Sequence, residues 1–575
     1  MSMPMMVKLR GWLVATAAAL LVGCVGGSGG VSVVDGGGGP APGTSRITFQ
    51  AQFEKRTLTP SGFLSGTTVK PARYQLIEIR QASNDSLLAS AFADEQGRVV
   101  ADVSNGTRLY ARAVASYQVP LASGSGFFQR GSVINLPAPP SNLTGDQQVS
   151  YFSGSQDWAV SSDAITVNTS GTLTVTANAS NRIAGAFNIS DQMVALGLKV
   201  RDLEPSLRLP NLHCYWSTSS NPADQDRFYP RALFYSNGSI ARLSSTNRAI
   251  FTSAAYGLEN GGAFTEADEW DDGALLETFS HLLFADYSLK EDGSSFLSLL
   301  RRDNDDVFAS RYRQSESTLA FQTGFADFLA AAVQNSPLLL DGYRDGNGAF
   351  QVDAFDLSRH DQITLAERSE FNRGSVAISL WGIWKNTLGG GTTGLSSLWS
   401  AVRSSAALTD GTGEYNGATL GCLPSYLVGV KSRNNSVWPN IVLELAKEGI
   451  PEPTTNYFAG TALWQTQPST PFTVAGTVQT YAASQNRYYD RNQSQAWRFS
   501  QPTSGNRTIT VTPTSGQDLW VELLGPGGVW GGSTSGTPSS RTFTVTGLPA
   551  GVYAVRVRAG NTTATIAAGY SLTVQ

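Results

Sequence analysis

Two residues four positions apart, Glu277 and His281, are the strongest candidates for chemistry in this chain. They lie in a segment, 271–287, whose apolar residues recur at helical spacing after an acidic start. On a helix, Cβ atoms at i and i+4 are about 5–6 Å apart, so this carboxylate and this imidazole could bind one divalent metal ion. The alternative is a solvated Glu–His pair that stabilises the helix slightly.

The segment resembles the helix that carries His-Glu-x-x-His in zincin metallopeptidases, where two His side chains bind zinc and the Glu is the general base. Glu277 stands at the position of the first His, Thr278 at the position of the general base, and His281 at the position of the second His. A hydroxyl group cannot take a proton from zinc-bound water as a carboxylate does. The resemblance therefore implies a zincin-like helix without its catalytic base.

A second segment, 320–328, reads AFQTGFADF and resembles the next long helix of many zincins. In that family a Glu in a Glu-Gly-x-Ala sequence supplies the third zinc ligand, and here Thr323 stands at its position. A neutral hydroxyl group binds zinc poorly compared with a carboxylate. Two helices in the family's order that both lack the charged groups imply an inactive peptidase-like domain. We expect no resident cofactor, and a peptide or protein partner in the cleft that such a domain would keep.

Two other functions stay open at this point. One is a metallopeptidase with an altered metal site that uses Glu277, His281 and a further, unidentified carboxylate. The other is an adhesin or carbohydrate-binding surface protein in which Trp497, Trp520 and Trp530 stack on sugars, although buried core tryptophans are the competing interpretation.

Other polar groups offer weaker metal sites. The chain has only three His residues, which disfavours a His-rich site that would draw on His213 or His360. Carboxylates at 266–272 and at 341–348 leave a calcium site open, but neither segment has EF-hand spacing. An acidic first helical turn and a Gly-rich surface turn are the favoured interpretations of the two segments.

The N-terminus predicts a lipid anchor. Basic residues precede an apolar run, 11–22, that is too short to span a bilayer. The run ends in LVGC at 21–24, which resembles the lipobox of bacterial lipoproteins, and the resemblance implies that Cys24 is lipidated and becomes the first mature residue. Val25 follows where an Asp would favour inner-membrane retention, so the resemblance implies the bacterial outer membrane.

Strand-like segments flank the helical region. The region 46–118, with a turn at 94–98, resembles carboxypeptidase regulatory-like, transthyretin-like β-sandwich modules. The run LPAGVY at 548–553 resembles part of bacterial pre-peptidase C-terminal domains, which accompany secreted peptidases. Helical patterns recur between these regions at 183–196, 271–287, 316–334, 373–386, 396–406 and 437–448.

These patterns predict a multidomain α+β protein. We expect a signal peptide at 1–23, a Gly/Ser-rich tether at 24–45, an N-terminal β-sandwich at 46–118, a β-rich connecting region at 119–182, a mainly α-helical zincin-like domain at 183–465 and a C-terminal antiparallel β-sandwich at 466–575. Charged residues are only 15% and the net charge is -4, which argues against a nucleic-acid partner. The two remaining cysteines, Cys214 and Cys422, form either one disulfide or two separate thiols.

Overall fold

The computed structural model is mixed α+β. It describes residues 31–33, 39–123, 126–135, 159–161, 165–167, 171–177, 183–207, 209, 211–216, 227–229, 233–236, 239–242, 247–251, 268–287, 311–312, 314–315, 317–344, 349–402, 423–453, 464–467, 470–479, 494–514, 516–525, 528–533, 540–559 and 567–575. The predicted signal peptide, the lipidation residue Cys24 and Cys422 lie outside these residues.

The N-terminal half begins with a five-stranded sheet. Its strands run in the order β1-β6-β2-β11, and β3 pairs with the far part of the long strand β2. All pairings are antiparallel except that of β11 with β2. The members are β1 (Val31–Val33), β2 (Thr44–Thr59), β3 (Gly62–Pro71), β6 (Arg98–Ser104) and β11 (Gly171–Ala177).

A nine-stranded sheet follows, in the order β13-β16-β12-β8-β7-β4-β5, with β9 and β10 also paired to β7. The strands β8, β12 and β16 are mutually parallel, and the other pairings are antiparallel. The members are β4 (Gln75–Gln81), β5 (Leu87–Phe92), β7 (Thr107–Pro120), β8 (Phe127–Asn135), β9 (Ala159–Ser161), β10 (Ile165–Val167), β12 (Asn211–Trp216), β13 (Arg227–Tyr229) and β16 (Asn247–Phe251).

The predicted turn at 94–98 is confirmed. Asp94 accepts hydrogen bonds from the backbone N–H groups of Gln96 and Arg98, and Gly97 takes a φ of +75°. This Asp-x-x-Gly pattern closes the connection between β5 and β6 because Gly adopts positive φ without steric cost.

Seven α-helices lie in the described part of the chain, all within 183–465. They are α1 (Ile183–Leu203), α2 (Asp272–Tyr287), α3 (Ser317–Gln334), α4 (Arg373–Gly382), α5 (Thr392–Ala401), α6 (Leu423–Arg433) and α7 (Trp438–Lys447). A π-helical turn, Ile383–Thr387, extends α4. Six of these helices overlap the predicted helical segments, and α6 was not predicted.

The described part of 183–465 contains strands as well as the helices, so the zincin-like helical domain predicted there stays a prediction. Besides β12, β13 and β16, this region holds two hairpins, formed by β14 (Leu233–Ser236) with β15 (Ser239–Arg242) and by β17 (Leu338–Arg344) with β18 (Phe350–Asp356). The strand β12 pairs on both sides with other strands, so its pattern is that of an interior strand, and such short apolar runs are ambiguous between helix and strand.

One hydrophobic core joins the β-rich N-terminal part to the helices, and extends from Ile47 to Ile450. Helix α1 contributes Phe187 and Met193 to it and packs on β7 and β8. The predicted domain boundaries within 46–465 stay predictions, but the regions they separate share this core. Of the helices in the described residues, none is both long and apolar enough to cross a membrane.

The C-terminal region is a β-sandwich with a separate core. One sheet has the order β19-β21-β26-β23-β24 and the other β20-β27-β22-β25. All pairings are antiparallel except that of β19 with β21. The strands are β19 (Trp464–Gln467), β20 (Phe472–Gln479), β21 (Ser494–Gln501), β22 (Gly505–Pro513), β23 (Leu519–Gly525), β24 (Gly528–Ser533), β25 (Arg541–Leu548), β26 (Gly551–Ala559) and β27 (Ala567–Val574).

Candidate functional site

The candidate site is a group of charged side chains between three helices, which we call the charge cluster: Glu277, Arg311, Asp327 and Arg373. Glu277 lies on α2, Asp327 on α3 and Arg373 at the first residue of α4, while Arg311 lies on the chain before α3. The helices can approach closely because Gly324 of α3 lies against α4, where an added Cβ would come within 2.6 Å of the Arg373 carbonyl oxygen.

Asp327 is the centre of the charge cluster, and its side chain is 0% exposed. Its carboxylate accepts two hydrogen bonds from Arg373, from Nε at 2.6 Å and from Nη2 at 2.7 Å. Arg311 donates to the same carboxylate through Nη2 at 3.0 Å and Nε at 3.3 Å. Planar, bidentate contacts of this kind are the strongest that Arg makes with a carboxylate.

Glu277 completes the charge cluster from α2. Arg311 Nη2 donates to its Oε2 at 2.7 Å, and Arg373 Nη2 forms an ion pair with its Oε1. The side chain of Glu277 is 12% exposed, and those of Arg311 and Arg373 are 7% and 6% exposed. Two carboxylates and two guanidinium groups thus neutralise each other in a largely buried position.

The hairpin of β17 and β18 adds a more exposed carboxylate to the charge cluster. Asp353 accepts hydrogen bonds from Arg311 Nη1 at 3.4 Å and from the Tyr312 hydroxyl group at 2.8 Å. The Tyr312 ring packs edge-on against Phe355, with centroids 5.6 Å apart, and the Arg311 guanidinium lies 5.8 Å from the Phe355 ring.

The pKa values of the two arginines reflect this arrangement. Burial alone would lower the pKa of Arg311 and of Arg373, but Asp327 and Glu277 raise both above the ordinary value. Both guanidinium groups therefore stay charged, and each carboxylate of the charge cluster has a permanent cation beside it.

Asp271 and Asp341 form a second, acidic pair near the charge cluster. Asp271 is buried at the N-terminus of α2, where it accepts hydrogen bonds from Ala274 N at 3.1 Å and Gly342 N at 2.8 Å. Burial raises its pKa well above the ordinary value and the charge of Asp341 adds to the rise, against the opposing effect of the two N–H groups. Burial also raises the pKa of Asp341, while Arg311 opposes the rise.

The structure places the two threonines of the zincin-like pattern inside the protein. Thr278 is buried on α2. Thr323 is buried on α3, and its hydroxyl group donates to the Leu319 carbonyl oxygen at 2.7 Å, so it is held by its own helix. His281 belongs to α2, but its side chain is outside the described residues, so the pairing of Glu277 with His281 around a metal stays a prediction.

The other residues that the sequence singled out are not part of the charge cluster. Cys214 is buried on β12, and its pairing with Cys422 stays a prediction. The backbone of His213 pairs within the nine-stranded sheet. In the acidic segment 266–272, Asp271 acts as a helix N-cap, and Asp272 forms an ion pair with Lys55.

Among the residues that the structure describes, no group of three or more His, Cys, Asp or Glu side chains is arranged to hold a metal ion. Residues 345–348 of the second calcium candidate are outside that part of the chain.

Most contacts of the charge cluster are made by residues that were not predicted from the sequence, namely Arg311, Asp327 and Arg373. One signal was present, because Asp327, between Ala326 and Phe328, is the only charged residue of α3. A carboxylate in the middle of such a helix requires a cation nearby. The sequence did not indicate which cations these would be, since Arg311 and Arg373 are 16 and 46 positions away from Asp327.

Comparisons with known proteins identify no family. No protein-family model matches the chain, and neither does any curated protein. Among solved structures, the pre-peptidase C-terminal domain of collagenase from Bacillus anthracis is similar at 13% identity and a TM-score of 0.15, over 19% of this chain and 93% of that one.

Two periplasmic inhibitors of g-type lysozyme are similar to the same extent. PliG from Aeromonas hydrophila has 14% identity and a TM-score of 0.14, over 19% of this chain and 95% of its own. PliG from Salmonella Typhimurium has 16% identity and a TM-score of 0.13, over 19% and 97%. Likenesses at such TM-scores carry no argument about family or function.

Proposed function

We propose that this chain is a lipid-anchored protein of the bacterial outer membrane, with an inactive, zincin-like peptidase domain that serves as a scaffold or binds a peptide or protein partner. One observation carries the proposal: both oxygens of Glu277, the residue at the first ligand position, are engaged by Arg311 and Arg373. Because the chain supplies its own cations there, the carboxylate does not fit a zinc site as it stands.

The neighbouring positions support the same conclusion. Thr278 would have to replace the general base and Thr323 the third ligand, and the Thr323 hydroxyl group is bonded to its own helix. Asp327, one turn after Thr323, is also paired with Arg311 and Arg373. A zinc ion would need at least one of these carboxylates to leave the two guanidinium groups. Both arginines would then share the single carboxylate that remained, which leaves a buried positive charge without compensation.

A peptidase assay tests this proposal. The soluble form that begins after Cys24 would be incubated with a mixture of unstructured peptides, with added zinc and with a chelator, and cleavage would be followed by mass spectrometry. We expect no zinc-dependent cleavage, while affinity chromatography on the same peptides retains a subset. Cleavage that the chelator abolishes, and that Glu277→Ala also abolishes, would favour the altered metallopeptidase instead.

A second candidate function, binding of an uncharged polysaccharide by the C-terminal sandwich, is favoured by one observation. Four threonines from four adjacent strands pair in register across one sheet: Thr473, Thr573, Thr510 and Thr542. Hydroxyl groups bond across this row, at 3.1 Å between Thr473 and Thr573 and at 2.9 Å between Thr510 and Thr542.

The row offers hydroxyl and methyl groups without charge, which suits a neutral, hydroxyl-rich ligand. Trp497, in contrast, is buried and donates to the Tyr570 hydroxyl group at 2.7 Å, so it is a core residue and does not offer a stacking surface. Gel retardation in neutral polysaccharides tests this candidate. Retardation that is lost in Thr510→Lys, but kept in the exposed control Leu365→Lys, would support it, and no retardation of the wild type would reject it.

A further inference from the structure

A buried carboxylate outside the charge cluster has one titratable partner. Glu448 follows the last residue of α7, and its side chain is 0% exposed. Its Oε1 lies 2.7 Å from His360 Nδ1, which belongs to a short 3₁₀ turn, His360–Gln362, after β18. The His360 side chain is 36% exposed, so protons can exchange with solvent at the imidazole.

The position of Glu448 is unfavourable for a negative charge. The C-terminal end of a helix carries partial negative charge, and carboxylates are destabilised there. Burial raises the pKa of Glu448, and the contact with His360 opposes the rise. Its other oxygen, Oε2, has no hydrogen-bond partner among the described residues, and neither has the Ser375 hydroxyl group that faces it from α4.

The groups around Glu448 leave His360 as its only direct ionic partner in the described residues. Arg368 is the next nearest cation, but its guanidinium donates to three carbonyl oxygens, those of His360, Ile363 and Lys447. Lys447, the neighbour of Glu448 on α7, directs Nζ to Glu444 at 2.8 Å. Arg359 and Asp361, next to His360 in sequence, are exposed and form an ion pair with each other, with 2.8 Å between Arg359 Nη2 and Asp361 Oδ2.

The contact joins two parts of the chain that are distant in sequence. The segment 357–368 follows directly from β18, whose Asp353 contacts the charge cluster, and Ile363 of this segment is buried in the core. The end of α7 receives the segment, because Gly449 takes a φ of +66° and packs against the Arg368 carbonyl oxygen.

We propose that His360 and Glu448 form a pH-sensitive latch that fastens the segment 357–368 to the end of α7, firmly when the pair holds its proton and loosely when the proton leaves. While His360 is protonated, the imidazolium neutralises the buried carboxylate. Once the proton is lost, Glu448 is a buried anion at a helix C-terminus with a neutral partner.

The linkage between proton binding and folding determines how the stability of the latch changes with pH. A carboxyl group whose folded-state pKa is raised contributes its full stability below its ordinary value of 4.5, and this contribution is lost as the pH rises through the raised value. The latch therefore loosens as the pH rises.

Two readouts on the full soluble chain test the latch. The first is NMR of isotope-labelled histidines, which is practicable because the chain has only three. We expect neutral His360 to carry its proton on Nδ1, where Glu448 accepts it. The second is hydrogen exchange of residues 357–368 at pH 5.5 and pH 8, corrected for intrinsic rates. We expect protection of this segment to be lower at pH 8 than at pH 5.5 in the wild type.

The matched variants separate the latch from general packing. Glu448→Gln keeps the shape and an oxygen acceptor but has no charge, so protection of 357–368 should no longer depend on pH. The control Asp361→Asn removes an exposed carboxylate from the same turn and should behave as the wild type. Equal pH dependence in the wild type and Glu448→Gln, or a neutral His360 protonated on Nε2, would overturn the proposal.

Discussion

The charge cluster makes a quantitative prediction about Asp327. Replacing it by Asn keeps the shape of the side chain and removes its charge. Arg311 and Arg373 would lose the carboxylate that accepts hydrogen bonds at 2.6, 2.7, 3.0 and 3.3 Å, and only Glu277 would remain as a direct partner of both. The variant therefore contains two largely buried guanidinium groups, one largely buried carboxylate, and the more exposed Asp353 beside Arg311.

The expected cost is large. Removing one partner of a buried ion pair destabilises proteins by about 3–5 kcal/mol, because the remaining charge is buried without compensation. Exposed ion pairs contribute only about 0–1 kcal/mol. Arg359 and Asp361 form such a pair, with side chains 59% and 71% exposed, so Asp361→Asn is the matched control.

Urea unfolding followed by tryptophan fluorescence measures the difference. The C-terminal sandwich has its own core, so its transition must be fitted separately. We expect Asp327→Asn to lower the free energy of unfolding of the part built on the core from Ile47 to Ile450 by about 3–5 kcal/mol, and Asp361→Asn to lower it by less than about 1 kcal/mol. Equal losses in the two variants would refute the reasoning that buried charge pairing holds α2, α3 and α4 together.

Three further predictions follow from other parts of the structure. Gly324→Ala should destabilise by about 1–3 kcal/mol, because its Cβ would lie 2.7 Å from Val376 Cβ, whereas the control Gly66→Ala meets no atom within 4 Å; thermal unfolding compares them. The wild type should lose stability as the pH rises through the raised pKa of Asp271. Asp271→Asn keeps an N-cap but cannot ionise, so urea titrations between pH 4 and 8 should show a smaller loss in this variant. Cys24→Ser should release the protein from the membrane fraction, which detergent partitioning measures, and unchanged partitioning would contradict lipidation.

The periodicity of apolar residues was sufficient to predict most of the helices and the β-structure of the C-terminal region. Helices α2 and α3 lie almost where the spacing of apolar residues predicted them, and both contribute apolar side chains to the core. The strand β12 was missed, since a short run such as NLHCYW has no period long enough to distinguish an interior strand from a helix.

The candidate site was predictable only in part. The spacing of Glu277 and His281 identified the correct helix, but the partners of Glu277 come from Arg311, before α3, and Arg373, the first residue of α4. Contacts between residues so distant in sequence depend on how the helices pack, and periodicity carries no information on that. The same limit applies to His360 and Glu448, which are 88 positions apart.

The metal content of the purified soluble form tests the central claim most directly. Elemental mass spectrometry would be applied to the wild type, Glu277→Ala and His281→Ala after equilibration with zinc and removal of the excess. If arginines neutralise the carboxylates of an inactive site, the wild type contains no stoichiometric metal, and a chelator does not change its thermal unfolding. About one zinc ion per chain, lost in both variants, would contradict the account and would make the altered metallopeptidase the better explanation.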